Sequence, residues 1–347
     1  MSSGKRPRSG AGITRMHMGN LKYHFVAFIT VAIWGSTFVF TKMLLQNGLS
    51  PAQIFTLRFI IAYILLLAFS LISSPPKFLA EPSGKAERGG GRGGLNKRFF
   101  LRPFAASWRD ELLMVLLGIT GGSLYFLTEN AAMLYTTATN TSLIVCSCPL
   151  FAMLLFAIVY RHSERITKFQ ALGSVIACLG MAVVVLNGHF VLHLSPLGDI
   201  LAFGACLCWA VYSLLMKAAL ERGKIDAYIS YSSLFITRKV FFYGLLTIIP
   251  YYFFVPGFPS MDVLLRPEVL WNLLFLSVVA SMLCYIMWNW VISKLGAVIA
   301  TNWVYFNPIT TIIFAWWLLH EQITVWFLLG SALILLGMYL ADKRSSI

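Results

Sequence analysis

The sequence predicts an all-α polytopic membrane protein of ten transmembrane helices, arranged as two inverted five-helix repeats. Three observations carry that prediction: an apolar composition, basic residues confined to alternate connections, and an internal repeat with an odd number of helices in each copy. Of 347 residues, 59% are hydrophobic and 12% charged, against about 25% charged in an average soluble domain. Apolar runs recur almost end to end, each about 19–25 residues long, and a helix of that length crosses the ~30 Å hydrocarbon core.

The runs place helices over 23–45, 51–73, 110–134, 138–160, 167–186, 197–220, 227–254, 268–293, 297–319 and 323–341. Residues 1–21 form a basic tail, with no short apolar segment and cleavage site to mark a removable signal peptide; Met16 and Met18 leave a later start open. The net charge of +14 invites a nucleic-acid reading until its placement is traced. Of the 27 Lys and Arg, 22 fall in the tail or in every second connection, including the Gly-, Pro- and Arg-rich loop 75–108. That pattern is the positive-inside bias, and it places both termini in the cytoplasm of a multi-pass protein, with a bacterial inner (plasma) membrane expected. Nucleic acid is excluded as a partner; the partners expected are the lipid bilayer, a small-molecule substrate, and a proton or counter-substrate, with oligomeric state left open.

Repeats divide the chain into 22–186 and 196–342. The eighteen residues from Glu164 to Met181 match those from Glu321 to Met338 at nine positions in register. Trp34 and Lys42 echo Trp209 and Lys217; Phe55, Arg58 and Tyr63 echo Phe235, Arg238 and Tyr243; Asn130 and Pro149 echo Asn289 and Pro308. The echoes keep the same order in both halves. With five helices each, the second repeat must enter the membrane upside down, a device suited to alternating access around a midplane site. An old duplication kept only for packing is the plainer alternative.

These residues also resemble a known family. The Trp34-Gly35-Ser36-Thr37 turn, Arg58, the E-N-A-A-M-L stretch from Glu129, the Pro149 helix and the E-x-I-T…L-G…L-G-M ending are similar to the EamA-like branch of the drug/metabolite transporter superfamily. The resemblance covers about residues 22–342. It implies ten helices, a central cavity and secondary transport, mostly export, of small metabolites, with amino acids or related amphipathic compounds first among them.

Ionisable groups inside hydrocarbon cost about 2.5–3.5 kcal/mol each on insertion scales, so every one asks for a reason. Of thirteen acidic residues, Glu129 alone lies well inside a predicted span, about five residues or roughly 7–8 Å below its outer end at 1.5 Å per residue. Arg58 runs about seven residues inward on the second helix, roughly 10 Å deep. A pair between them would lower the burial cost of each; it is either a static tie between helices or a site where Glu129 binds a cation or exchanges a proton. Gly118, Gly122, Tyr125 and Glu129 share one helical stripe, which suits a close helix contact or a cavity wall. Trp34, Thr37, Asn130, Asn140, Asn289, Asn302 and Tyr305 are further substrate-site candidates, although such groups often bond to neighbouring backbone. Trp209, Trp288 and Trp303 are aromatic candidates for a cavity wall. Pro149 and Pro308 are expected to bend their helices.

Enzyme chemistry finds no foothold. No G-x-x-x-x-G-K-[ST] loop is present, so ATP-driven pumping by this chain is not expected. His189 and His193 lack the glutamate of a zinc motif, the six cysteines all fall inside spans, and neither a metal nor a cofactor is expected. A membrane-embedded enzyme and a non-transporting scaffold stand as the alternatives to a transporter.

Overall fold

The structure, a computed structural model, describes residues 10–72, 104–160, 167–186, 195–225, 231, 233–254, 257–319 and 325–342. Most of loop 75–108, the repeat markers Glu164 and Glu321, and His189 and His193 lie outside the described residues.

Among the described residues the elements are helical throughout. In order they are α1 (Gly10–Gln46), α2 (Pro51–Ile72), α3 (Trp108–Gly118), a π-helical stretch Ile119–Ser123, α4 (Leu124–Tyr135), α5 (Ala138–Cys146), α6 (Cys148–Val159), α7 (Lys168–Leu186) and α8 (Pro196–Ile225). Then follow α9 (Ser233–Ile248), α10 (Met261–Leu264), α11 (Pro267–Leu274), a second π-helical stretch Phe275–Leu283, α12 (Cys284–Leu295), α13 (Ala297–Asn302), α14 (Asn307–Leu319) and α15 (Val325–Asp342). Among the described residues, six helical stretches, counted through their π-helical and 3₁₀ segments, are long and apolar enough to cross a membrane: Leu21–Gln46, Pro51–Phe69, Trp108–Tyr135, Pro196–Glu221, Leu234–Phe253 and Pro267–Leu295. Ile144–Val159, Lys168–Gly180 and Leu328–Gly337 are shorter apolar helices.

Local chemistry sets the helix ends. Ser107 caps α3 by accepting from the Asp110 amide at 3.2 Å, and Asp110 and Glu111 add negative charge at the positive helix end. Gly296, at φ +85° and ψ 158°, takes an extended positive-φ conformation between α12 and α13 that glycine alone adopts readily. Two of the expected single helices are broken instead. The fourth parts at Ser147, two residues before Pro149, and the ninth passes through a 3₁₀ turn, Trp303–Phe306, just before Pro308. Each proline lacks the N–H that would continue the ladder, and its ring crowds the carbonyl four residues back.

Burial is inverted at the surface, as lipid allows. Ile64, Leu154, Ile158, Leu179 and Ile200 face outward, and Trp108, Trp271 and Trp326 are exposed near element ends, where indole rings sit at a membrane interface. Inside, Tyr212, Tyr285, Trp288, Phe55, Phe59 and Phe241 are fully buried.

Small residues let backbones touch. A Cβ on Gly118 would lie 2.5 Å from the Cβ of Tyr243, and one on Gly122 would lie 3.2 Å from Cα of Gly244. These two glycines therefore serve the close contact of α3 and the π-helical stretch Ile119–Ser123 with α9, and neither lines the cavity described below. A Cβ on Gly180 of α7 would meet the Gly330 carbonyl and Ile334 amide of α15; one on Gly337 would meet the Gly173 carbonyl and Ala177 amide. This contact is reciprocal, and it is antiparallel: moving forward from Gly173 to Gly180 moves the partner back from Gly337 to Gly330.

Candidate functional site

A cavity of about 30 Å³ lies within the bundle, lined from both halves of the chain. Its polar wall is Arg58, Glu129, Thr37, Tyr125 and Asn307; its apolar wall includes Trp34, Phe126, Trp209 and Tyr285. The aromatic wall is continuous. Trp34 meets Trp209 edge-on at 5.3 Å between ring centroids and Tyr285 at 6.0 Å, while Tyr125 lies 5.2 Å from Trp209.

The two π-helical stretches build this site. A π turn bonds i to i+5 and disturbs the regular ladder, leaving carbonyls for other donors. Trp34 Nε1 donates to the Ala280 carbonyl at 2.9 Å, Arg58 Nε to the Leu276 carbonyl at 3.2 Å, and the Tyr285 hydroxyl to the Gly121 carbonyl at 2.5 Å. All three acceptors lie inside π-helical segments.

Arg58 and Glu129 are both buried, 2% and 5% exposed, and both line the cavity, yet no ion pair within 4.0 Å joins them. This corrects the expected contact. Arg58 Nε donates to Ser281 Oγ at 2.5 Å as well as to Leu276, and its guanidinium lies 4.6 Å from the centre of the Phe126 ring. Glu129 instead accepts from the Tyr125 hydroxyl at 2.8 Å, one helical turn away. Both charges reach one cavity, but Arg58 donates to acceptors on the π-helical stretch Phe275–Leu283, and Glu129 accepts from a tyrosine of its own helix.

Other candidates separate. Trp34, Thr37 and Tyr125 line the cavity, although the Thr37 hydroxyl returns to the Trp34 carbonyl at 2.6 Å. Asn130 leaves the cavity and donates to the Pro51 carbonyl at 3.1 Å. Asn289 accepts from Tyr212 at 3.0 Å and donates to Thr237 at 2.7 Å, a tie between helices. Tyr305 is fully buried but its neighbours Val304 and Asn307 supply the wall; Asn302 is half-buried and outside it. The Asn140 side chain lies outside the described residues. Trp303 points away to His24, donating at 3.2 Å. Trp288 sits behind Trp34 at 5.0 Å. Phe126, Tyr285 and Ser281 were missed from sequence, because an aromatic or a serine in an apolar run carries no sign of which face it takes.

A second charged cluster was also missed. Asp110 and Glu111 stand within a turn of a helix start, where access to water was expected, but Lys239 of α9 is buried against Glu111. Tyr243 also donates to Glu111, the Ala105 amide adds a bond at 2.5 Å, and Tyr231 donates to Asp110 at 2.9 Å. Across the bundle, Lys42 closes the C-terminal end of α4 by donating to the Met133 and Thr136 carbonyls at 2.6 and 3.3 Å. A cation at exposed helix carbonyls is favourable.

Comparison with known proteins identifies the family. The model of the EamA-like transporter family matches twice, over residues 21–186 and 196–341. An uncharacterized transporter of Archaeoglobus fulgidus is 26% identical over 94% of this chain and 99% of its own length. A protein of Salmonella typhimurium named "Probable amino-acid metabolite efflux pump" is 25% identical over 91% of this chain and 93% of its own. One of Streptantibioticus cattleyicolor named "Probable terminal-alkyne amino-acid exporter" is 26% identical over 68% and 75%. A solved crystal structure at 15% identity shares the fold with a TM-score of 0.64, covering 93% of this chain and 98% of its own. Family and relatives indicate a transporter rather than an enzyme, and the paired family match over apolar helices makes the chain an integral, multi-pass membrane protein that belongs to the EamA-like transporter family.

Proposed function

We propose that this chain is a secondary active transporter that exports small amphipathic metabolites, amino acids or their relatives, by alternating access between two inverted repeats. The membrane is a bacterial inner membrane, with both termini cytoplasmic. The observation that carries the reading is a buried carboxylate, Glu129, in an aromatic cavity to which both repeats contribute. A carboxylate in such a place, bonded to a neutral hydroxyl and not in contact with Arg58, is expensive unless a further cation meets it. Glu129 binds a cationic group of the substrate or exchanges a proton with it, and the rings of Trp34, Tyr125 and Trp209 offer their faces to the same charge.

The inverted arrangement is supported where equivalent residues meet. Trp34 and Trp209 touch, and α7 and α15 make their reciprocal, antiparallel contact at Gly180 and Gly337; a two-fold axis brings equivalent surfaces together in this way. The present cavity holds about two waters and is far below the roughly 300 Å³ that encloses a drug-sized ligand. Substrate passage therefore needs the halves to move apart. The names of the Salmonella and Streptantibioticus relatives support amino acids as the first class to test.

The test is efflux of an amino-acid and metabolite library from liposomes carrying the purified chain, with and without a proton gradient. Saturable movement that is lost in Glu129→Gln is expected. Chemical turnover without vectorial movement would favour an enzyme, and a folded chain that moves nothing would favour a scaffold.

A further inference from the structure

Arg58 is held in an unusual way for a structural arginine. Its Nε makes both of its bonds, to Ser281 Oγ and to the Leu276 carbonyl, and Phe126 covers one face of the guanidinium. Its two terminal nitrogens make no hydrogen bond among the described residues, although the side chain is buried and lines the cavity. A guanidinium carries five donors in a planar fork. An arginine kept only to tie helices would spend the fork on backbone carbonyls or on Glu129. Here the stem is fixed from the side and the fork is left toward the cavity. Trp209 adds a second unmatched donor: it lines the same cavity, is 5% exposed, and its Nε1 has no hydrogen-bond partner among the described residues. Trp34, at the equivalent position of the other repeat, has its indole nitrogen bonded to the Ala280 carbonyl.

From these contacts we infer that Arg58 and Trp209 form an anion subsite, separate from Glu129, that receives a carboxylate of the transported molecule. The inference rests on the transporter reading and deepens it: the substrate is then amphoteric, with its anionic end on Arg58 and Trp209 and its cationic end toward Glu129. Ser281 is a positioning residue, since it aims the fork without touching substrate. Keeping Glu129 on Tyr125 and out of contact with Arg58 matters to this arrangement. A direct pair would neutralise both poles before a ligand arrived.

The experiment compares acids with their amides, which keep size and shape but lose the charge. Thermal stabilisation of the purified full chain in detergent is measured with L-phenylalanine, L-phenylalaninamide, benzoate and benzamide, alongside liposome transport of the two phenylalanine forms. Each acid is expected to stabilise more strongly than its amide, with phenylalaninamide keeping only what its ammonium group gains at Glu129. Trp209→Phe and Ser281→Ala are expected to weaken acid binding by about tenfold, the size of one hydrogen bond to a charged group, while Arg58→Met abolishes it. The Trp209 and Ser281 variants keep the test decisive if Arg58→Met does not fold. Equal stabilisation by acid and amide, stabilisation by neither, or an acid preference unchanged in Trp209→Phe and Ser281→Ala would overturn the subsite. Acid binding without transport would instead overturn the transporter reading and leave the subsite standing.

Discussion

Arg58 and Glu129 occupy one cavity but take their hydrogen bonds from different neighbours. Their roles should therefore separate under mutation. A static ion pair would make Glu129→Gln costly and would let Arg58→Met with Glu129→Gln restore stability and transport together. The observed geometry, a shared cavity without a contact, predicts coupling in stability toward the lower end of the roughly 0.5–3 kcal/mol of residues that share a cavity, measured by thermal unfolding in detergent, and a double variant that folds without transporting. A well-folded double variant with near-normal efflux would end the functional reading of Glu129. That both residues sit inside long apolar helices was legible from the sequence. Their partners were not, because Ser281 and Leu276 reach Arg58 from more than two hundred positions away.

At the scale of elements, the packing of α3 on α9 sets a second test. Lys239→Met would leave a partly exposed Glu111 with the Tyr243 hydroxyl and the Ala105 amide but without its cation, at a cost of about 1.5–3 kcal/mol, that of a lost hydrogen bond to a charged group. The double change Lys239→Met with Glu111→Gln should recover most of it in the same unfolding assay; equal losses in single and double variants would show the pair to be incidental. A third test uses the reciprocal contact of α7 and α15. Gly180→Leu and Gly337→Leu should each destabilise by about 1–3 kcal/mol through overpacking, and by similar amounts, because each glycine meets the same backbone atoms of the other helix. A large loss at one position alone would contradict the reciprocity. The L-G…L-G-M echo made these glycines visible as a repeat, but periodicity cannot say that one copy packs on the other. Nor do residue spacings reveal the π-helical stretches, which appear only once Trp34, Arg58 and Tyr285 claim their carbonyls.

Over the whole molecule, charge placement makes the sharpest statement. Reporter fusions after positions 90, 163 and 345 should read cytoplasmic and those after 190 and 260 external, following the basic connections; an external signal at 90 would break the assignment of the first half. Length and apolar runs were enough by themselves to indicate a helical, multi-pass membrane protein, because the bilayer demands long helices of one composition and leaves few other solutions; the family was legible only through the resemblance of particular motifs, from the Trp34–Thr37 turn to the L-G-M ending. The tertiary structure alone decided which of the polar residues face a common cavity. A helix in lipid is apolar all round, so no amphipathic stripe marks its inner face. Asn130 and Glu129 are neighbours in sequence, yet one bonds the end of α2 and the other faces the cavity. That choice is made by helix rotation and by close approach at small residues, which depend on all the helices at once.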